Sequence, residues 1–369
     1  MLKIAILLNT SWNIYNFRLS LLKALQAEGH KIICIAPKDE YSERLIKEGF
    51  DLIEIPLSPK AKNPLLDLKF LYYVHRVLCT HMPDYLLTFT IKPNVYGTIA
   101  ARLCKIKTIN NVSGLGTVFL REGISSTLAK YLYKTAFQYS HHVFFQNHDD
   151  RKLFVGSKLV NPAITDVLPG SGVDLCRFSP IPPDAPLSSE TTFLMPARLL
   201  VDKGVYEYVA AAEKIKATYG NAKFLLVGKP DFDSNLGVRR ADLKAWIHKG
   251  IIEYHGFIDH MTEFYRTADC VVLPSYREGT SRALLEALAM AKPIITTDTP
   301  GCRETVNHGG NGYLCKVKDV DTLVTAMSTF LALERTQRLD MGKLSREKAE
   351  AEFDEKFVIN KYKKVIFEF

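Results

Sequence analysis

Short apolar runs alternate with helix-forming stretches along this chain, and the alternation happens twice. In the first half the strand-like runs are Lys3 to Leu8, Lys31 to Ala36, Asp51 to Ile55, Tyr85 to Phe89, Thr108 to Val112, His142 to Phe145 and Thr165 to Leu168. Helical patterns lie between them, such as Phe17 to Glu28, with Gly29 at the helix end. The segment Phe178 to Thr192, with prolines at 180, 182, 183 and 186, reads as a linker. The alternation then resumes with Phe193 to Pro196, Phe224 to Val227, Ile251 to His255, Cys270 to Leu273, Pro293 to Thr296 and Tyr313 to Val317. Strand, helix, strand in series predicts an α/β protein with doubly wound parallel sheets. A chain of 369 residues suits two such domains.

The composition of 47% hydrophobic and 24% charged residues is that of an ordinary globular protein. Met1 to Leu8 is too short an apolar run for a signal peptide and reads as a first buried strand. No window is apolar enough to cross a membrane. The seven cysteines, at 34, 79, 104, 176, 270, 302 and 315, form no C-x-x-C pair. They are expected as buried, reduced thiols of a cytosolic protein, and their spacing indicates no metal site. Charge is uneven. Residues 1–170 hold 21 Lys and Arg against 13 Asp and Glu, whereas residues 171–369 hold 27 of each. The whole net charge of +8 therefore belongs to the first half. That excess suits an anionic membrane, a pyrophosphate-linked ligand or nucleic acid. RNA-binding signatures are absent, so nucleic acid is not an expected partner.

Two glutamates point to the chemistry. Seven residues separate Glu278 from Glu286 in Pro274-Ser275-Tyr276-Arg277-Glu278-Gly279-Thr280-Ser281-Arg282-Ala283-Leu284-Leu285-Glu286. The apolar strand Cys270–Leu273 precedes them and a helical run from Arg282 follows. Ligands of parallel sheets bind where strands end and helices begin. Carboxylates there accept hydrogen bonds from sugar hydroxyls, and free helix-start amides favour a diphosphate. Arg198 and Lys203 flank another strand-to-helix turn, which ends at Gly204. In a site without metal such cations must offset the charge on a departing diphosphate. Asp231-Phe232-Asp233 has the spacing of a metal-binding D-x-D but lies in a polar loop. No metal and no cofactor are expected.

The E-x7-E segment resembles that of the retaining glycosyltransferases of family 4, which have the GT-B fold. Further segments resemble the family in the same order. They are Pro196-Ala197-Arg198 through Lys203-Gly204, Phe224-Leu225-Leu226-Val227-Gly228, Tyr254-His255-Gly256-Phe257, and Gly170-Ser171-Gly172-Val173-Asp174 with Phe178-Ser179-Pro180. The resemblance implies two Rossmann-like domains facing a cleft: 1–175 for the acceptor and 176–352 for the nucleotide-sugar donor. The segment 353–369 would form a helix crossing back to the first domain. By resemblance, Glu278, Arg198 and Lys203 serve catalysis. Glu286 holds the donor ribose, and Gly279, Thr280, Ser281, Gly204 and Gly256 complete the donor site. Many relatives carry Glu-Gly-Phe-Gly where this chain has Glu-Gly-Thr-Ser-Arg, which points to a subfamily.

On the acceptor side, Asn110 to Phe119 contains Ser113, Gly114 and Gly116 and resembles a Gly-Leu-Gly segment of enzymes that build lipid-linked oligosaccharides. Many family members carry a His here, and Ser113 stands near that place. Asn16 and Arg18, in Asn9 to Arg18 after the first strand, resemble transferases acting on undecaprenyl-diphosphate sugars. The same stretch lacks the G-x-G-x-x-G of NAD enzymes. Pro64 to Leu78 and Ser126 to Phe137 are basic and amphipathic, either interfacial helices or core helices with a solvated side. The resemblance implies a retaining enzyme that transfers a hexose or N-acetylhexosamine from a nucleotide sugar, UDP-linked by family frequency, to a polyprenyl-diphosphate-linked or polysaccharide acceptor, as a peripheral protein on the cytoplasmic face of the inner membrane. Two other readings are a UDP-N-acetylglucosamine 2-epimerase-type enzyme on the same fold and a non-enzymatic basic binding module.

Overall fold

The computed structural model describes residues 1–56, 63–115, 123–180 and 190–367. The chain divides into two compact units, Met1–Ser171 with Glu355–Phe369, and Gly172–Asp354. These junctions lie a few residues from the expected ones. Most of the expected linker, residues 181–189, falls outside the described residues.

The first unit runs β1 (Lys3–Leu7), α1 (Ser11–Ala27), β2 (Lys31–Ala36), α2 (Ser42–Lys47), β3 (Asp51–Glu54), α3 (Pro64–His81), β4 (Tyr85–Phe89), a π-helical turn at Pro93–Gly97, α4 (Thr98–Leu103), β5 (Lys107–Val112), α5 (Ile124–Phe137), β6 (His142–Phe145), α6 (His148–Gly156) and β7 (Thr165–Val167). Its seven strands lie in the order β3-β2-β1-β4-β5-β6-β7, all parallel. Strands β1, β4 and β5 are buried along almost their whole length, hence their apolar runs rather than an alternating pattern.

Helix α1 starts six residues before the expected Phe17. Thr10 caps it, its Oγ1 accepting the Asn13 N–H at 3.1 Å. Ile14, Leu21, Leu22 and Leu25 then fall on one buried face. Full burial of a side chain such as Leu22 contributes about 1.5–3 kcal/mol. The C-terminal helix Glu355–Phe367 joins this face, burying Val358, Tyr362, Val365 and Ile366 in the same cluster. Among the aromatics of the expected segment 353–369, Tyr362 is buried here, and the Phe367 ring lies 4.8 Å, centre to centre, from that of His30. Phe357 and Phe367 are exposed, Phe353 packs in the second unit's core, and Phe369 lies outside the described residues.

The two amphipathic stretches are core helices with apolar side chains left outside. Helix α3 buries Phe70, Val74 and Leu78 but exposes Leu65, Leu66, Leu68 and Tyr72. Helix α5 buries Tyr133, Ala136 and Phe137, and exposes Leu128 and Tyr131 beside Lys130 and Lys134.

The second unit runs β8 (Thr191–Pro196), α7 (Val205–Thr218), β9 (Ala222–Val227), α8 (Arg240–His248), β10 (Glu253–Tyr254), α9 (Thr262–Thr267), β11 (Cys270–Leu273), α10 (Arg282–Ala289), β12 (Ile294–Thr297), β13 (Gly312–Cys315), α11 (Val320–Ala332) and α12 (Arg335–Lys348). Its order is β10-β9-β8-β11-β12-β13, again all parallel. Strands β8 and β11 are neighbours, so helices α7 and α10 begin at the same sheet edge.

All seven cysteines are free thiols. Five are buried as expected; Cys79 and Cys176 are exposed. Among the described residues no helix is long and apolar enough to cross a membrane.

Candidate active site

The turn after β8 and the loop after β11 are bound to each other through their backbones. The Asp202 carbonyl accepts the Tyr276 N–H at 2.8 Å and the Ser275 hydroxyl at 3.1 Å. Gly204, at φ 76°, makes this approach possible. A Cβ there would lie 2.1 Å from the Pro274 carbonyl oxygen. On the other side, Gly301 fits against the backbone of Glu278, where a Cβ would come 2.4 Å from its carbonyl oxygen. The Glu278 N–H donates to the Pro300 carbonyl at 3.0 Å. Thr297 donates its hydroxyl to the Ser275 carbonyl.

This framework brings Lys203 and Glu278 together. Lys203 Nζ donates to Glu278 Oε1 at 2.5 Å, and both side chains are only about one-sixth exposed (16% and 15%). Ser275 Oγ donates to the same oxygen at 2.8 Å. The carboxylate's charge and burial push the nearby Cys302 thiol up to about 12, burial being the larger cause. Tyr276 donates to Glu207 Oε1 at 2.7 Å, and burial with that carboxylate raises its phenol above the ordinary range.

Glu286 sits in the second turn of α10. It takes a hydrogen bond from Arg282 Nε at 3.0 Å on Oε1 and from the Tyr265 hydroxyl at 3.0 Å on Oε2. Tyr265 is buried and also donates to the Ala283 carbonyl at 3.0 Å. Burial, then the Glu286 charge, holds its proton on. Arg282 reaches on to the Gly172 carbonyl at 3.1 Å.

Two more glycines close the strand ends. The Gly228 N–H donates to the Gly256 carbonyl at 2.7 Å, and a Cβ on Gly228 would lie 1.8 Å from the Ala197 carbonyl oxygen. The ends of β8, β9 and β10 thus meet at these glycines. Arg198, in the turn after β8, is exposed.

Some expected roles change. The Ser281 N–H already donates to the Gly301 carbonyl at 3.0 Å, which removes it as a donor to sugar hydroxyls in this conformation. Thr280 turns its hydroxyl to the Gly279 carbonyl at 2.9 Å. Asp231 and Asp233 lie in a turn after Gly228. In the first unit, Asn16 donates to the Trp12 carbonyl within α1 at 3.0 Å. Arg18 is buried, its guanidinium 4.2 Å from the centre of the Phe89 ring. The early start of α1 puts Asn16 inside a helix rather than on a loop, and Arg18, already within the expected helix, falls on its buried face. Ser113 donates to Asn111 Oδ1 at 3.0 Å, and the Asn111 amide donates to the Tyr362 hydroxyl at 3.1 Å. Gly114 has φ 121°, and Gly116 lies outside the described residues.

Sequence reasoning missed the polar partners. Tyr265 and Arg282 hold Glu286, Ser275 holds Glu278 and the Asp202 carbonyl fixes the loop between; of these only Arg282, four residues before Glu286 on a helix, was signalled by spacing. It also missed a buried amide network in the first unit. There Asn110 donates to Thr88 and Thr98 Oγ1, both at 2.7 Å, and Asn94 donates to the Asn111 carbonyl at 2.9 Å. The π-helical turn that carries Asn94 was equally unmarked.

Two doubly wound parallel sheets, with a half-buried carboxylate and lysine where the strands of one of them end, define a GT-B glycosyltransferase. Family comparison agrees: the model of "Glycosyl transferases group 1" matches residues 182–348, that of "Glycosyl transferase 4-like" matches residues 3–147, and the chain belongs to this glycosyltransferase family. The N,N'-diacetylbacillosaminyl-diphospho-undecaprenol alpha-1,3-N-acetylgalactosaminyltransferase of Campylobacter jejuni is 29% identical over 99% of this chain and 98% of its own. The UDP-Gal:alpha-D-GlcNAc-diphosphoundecaprenol alpha-1,3-galactosyltransferase of Escherichia coli is 24% identical over 79% of this chain and 76% of its own. Anabaena HepE, solved with UDP and glucose, shares the fold at a TM-score of 0.82 and 16% identity, covering 100% of both chains. The protein is an enzyme, and neither the epimerase nor the non-enzymatic reading finds support.

Proposed function

We propose that this enzyme moves a hexose or N-acetylhexosamine, with retention at the anomeric carbon, from a UDP-sugar to a polyprenyl-diphosphate-linked acceptor. The step takes place at the cytoplasmic face of the inner membrane and needs no metal. The observation that carries the reading is the half-buried Lys203–Glu278 pair just before α7 and α10. As the glycosidic bond breaks, negative charge grows on the departing diphosphate. Lys203, Arg198 and the first amides of the two helices supply the offset that a cation supplies elsewhere. Glu278, in contact with Lys203, stabilises the cation-like sugar, and Glu286 accepts from the ribose hydroxyls.

The acceptor class rests on the Campylobacter relative, which aligns end to end and whose name specifies a diphospho-undecaprenol acceptor. A lipid-borne acceptor also suits the first unit's charge. Residues 355–369 add four lysines against two glutamates to that unit's excess. Exposed Leu128 and Tyr131 beside Lys130 and Lys134 suit shallow contact with anionic lipid.

The test incubates the purified enzyme with a panel of UDP-sugars and a polyprenyl-diphosphate N-acetylhexosamine in anionic vesicles. Mass spectrometry should show the acceptor heavier by one sugar and UDP released. Failure with every UDP-, GDP- and dTDP-sugar would overturn the reading. Conversion of UDP-N-acetylglucosamine alone to its 2-epimer would replace it.

A further inference from the structure

Away from the transfer site, the described residues hold one cluster of three soft ligands. His75 and Cys79 stand one turn apart on α3, and Cys104 caps α4. Cys79 Sγ lies 3.1 Å from Cys104 Sγ and 3.5 Å from His75 Nε2. The ligand atoms all fall within 4.8 Å of one another. Cys104 is buried, His75 half-buried and Cys79 exposed, so one side of the cluster opens to solvent.

These distances can be set against a shared ion. Two sulfurs bound to one tetrahedral zinc at ~2.3 Å stand about 3.8 Å apart, and a sulfur and an imidazole nitrogen about 3.6 Å. The Cys79–His75 separation already matches. The sulfurs need to part by about 0.7 Å, a change within reach of the exposed Cys79 side chain. A disulfide would instead need them to close by about 1 Å, and it leaves the imidazole without a role.

We infer that His75, Cys79 and Cys104 form a binding site for a thiophilic cation of the zinc class, with a fourth position open to water. Three protein ligands with Cys and His donors suit such an ion, whereas magnesium and calcium require oxygen ligands. Each thiol gives up its proton as it binds, so uptake is weaker in acid. The bound ion fastens α3 to α4 across 25 residues of chain, independently of the donor site in the other unit.

The test uses the full-length, reduced protein and cobalt(II) as the probe. One equivalent should produce a thiolate-to-cobalt charge-transfer band, which zinc then abolishes by displacement. Cys79→Ser and His75→Ala, both at accessible positions, should each weaken cobalt binding about tenfold or more. Cys176→Ser, at the other exposed cysteine, should leave it unchanged. Zinc should raise the melting temperature of the wild type and not of Cys79→Ser. A reduced protein that gives no cobalt band overturns the inference, as does a band indifferent to Cys79→Ser. So does a Cys79–Cys104 disulfide whose reduction yields thiols that take up no cobalt.

Discussion

Lys203 and Glu278, 75 positions apart in sequence, share a 2.5 Å hydrogen bond in the second unit's sheet edge. Each is thus the other's counter-ion before donor arrives, and the diphosphate must draw the lysine away or share it. Lys203→Ala should cost about 2–4 kcal/mol of transition-state stabilisation, seen as a 30- to 1,000-fold fall in kcat/KM. Because the pair acts together, adding Glu278→Ala should cost much less than the sum of the single losses. Steady-state kinetics of the two single variants and the double variant check this. Strict additivity would mean that the contact has no part in turnover.

Donor and membrane binding should separate cleanly. Glu286→Ala should weaken UDP binding by about 1–3 kcal/mol through the lost charged hydrogen bonds. It should leave vesicle binding intact. Lys130→Ala with Lys134→Ala should do the reverse, at about 1 kcal/mol per charge on anionic vesicles. Nucleotide titration and vesicle co-sedimentation of both variants read the two effects. A wild type that ignores anionic vesicles at low salt would point to a soluble acceptor.

Gly204→Ala should damage the fold as well as the site. The residue has a left-handed backbone, and its Cβ would press on the Pro274 carbonyl. A loss of more than about 2 kcal/mol is expected, visible in urea unfolding. Ala at Gly250, also left-handed but with nothing within 4 Å, isolates the backbone share of that loss.

Chelation distinguishes a metal in the chemistry from one in the scaffold. Excess EDTA should leave initial transfer rates within about twofold, because cations and helix amides carry the leaving-group charge. The assay should be repeated in Cys79→Ser, where the scaffold cluster is broken. Activity lost to EDTA in both proteins and restored by Mg2+ or Mn2+ would contradict the metal-free step.

His142 should make stability fall in mild acid. Burial lowers its imidazole from 6.5 to about 4, while Asp166 pulls upward and His141 and Lys361 push downward. Below 6.5 the unfolded chain binds a proton that the folded chain refuses, so the folded state loses ground down to about pH 4 and no further from this group. His142→Gln should flatten that part of the curve. Urea midpoints measured across the window, with Asp166 and Lys361 left in place, show whether it does.

The sheets were legible because each strand is an apolar run between turn residues, as in Cys270–Leu273 before Pro274. The turn at Gly204 was legible for a related reason, since the close approach of the Pro274 carbonyl leaves room only for glycine, while Glu278 and Glu286 were legible from their spacing after an apolar strand. What sequence hid is contact made across the fold. Nothing near Glu286 announces Tyr265, and nothing in the spacing of Cys79 and Cys104 announces that their sulfurs meet. The start of α1 was hidden differently. Asn9 to Asn16 is polar enough to pass for a loop, and only the Thr10 cap and the burial of Ile14 show that it continues the helix.

The first unit's discontinuity sets an order of events during synthesis. Its sheet is complete by residue 167, but Val358, Tyr362, Val365 and Ile366, which cover α1, are made only after the whole second unit. At ordinary elongation rates those roughly 180 intervening residues take about 10–40 s. Through that interval the nascent chain presents an apolar face with no cover, and the second unit can fold before the first is finished. A chain stopped before Glu355 would keep every donor-site residue and still be prone to aggregate, because its earliest-made part would be the one left open.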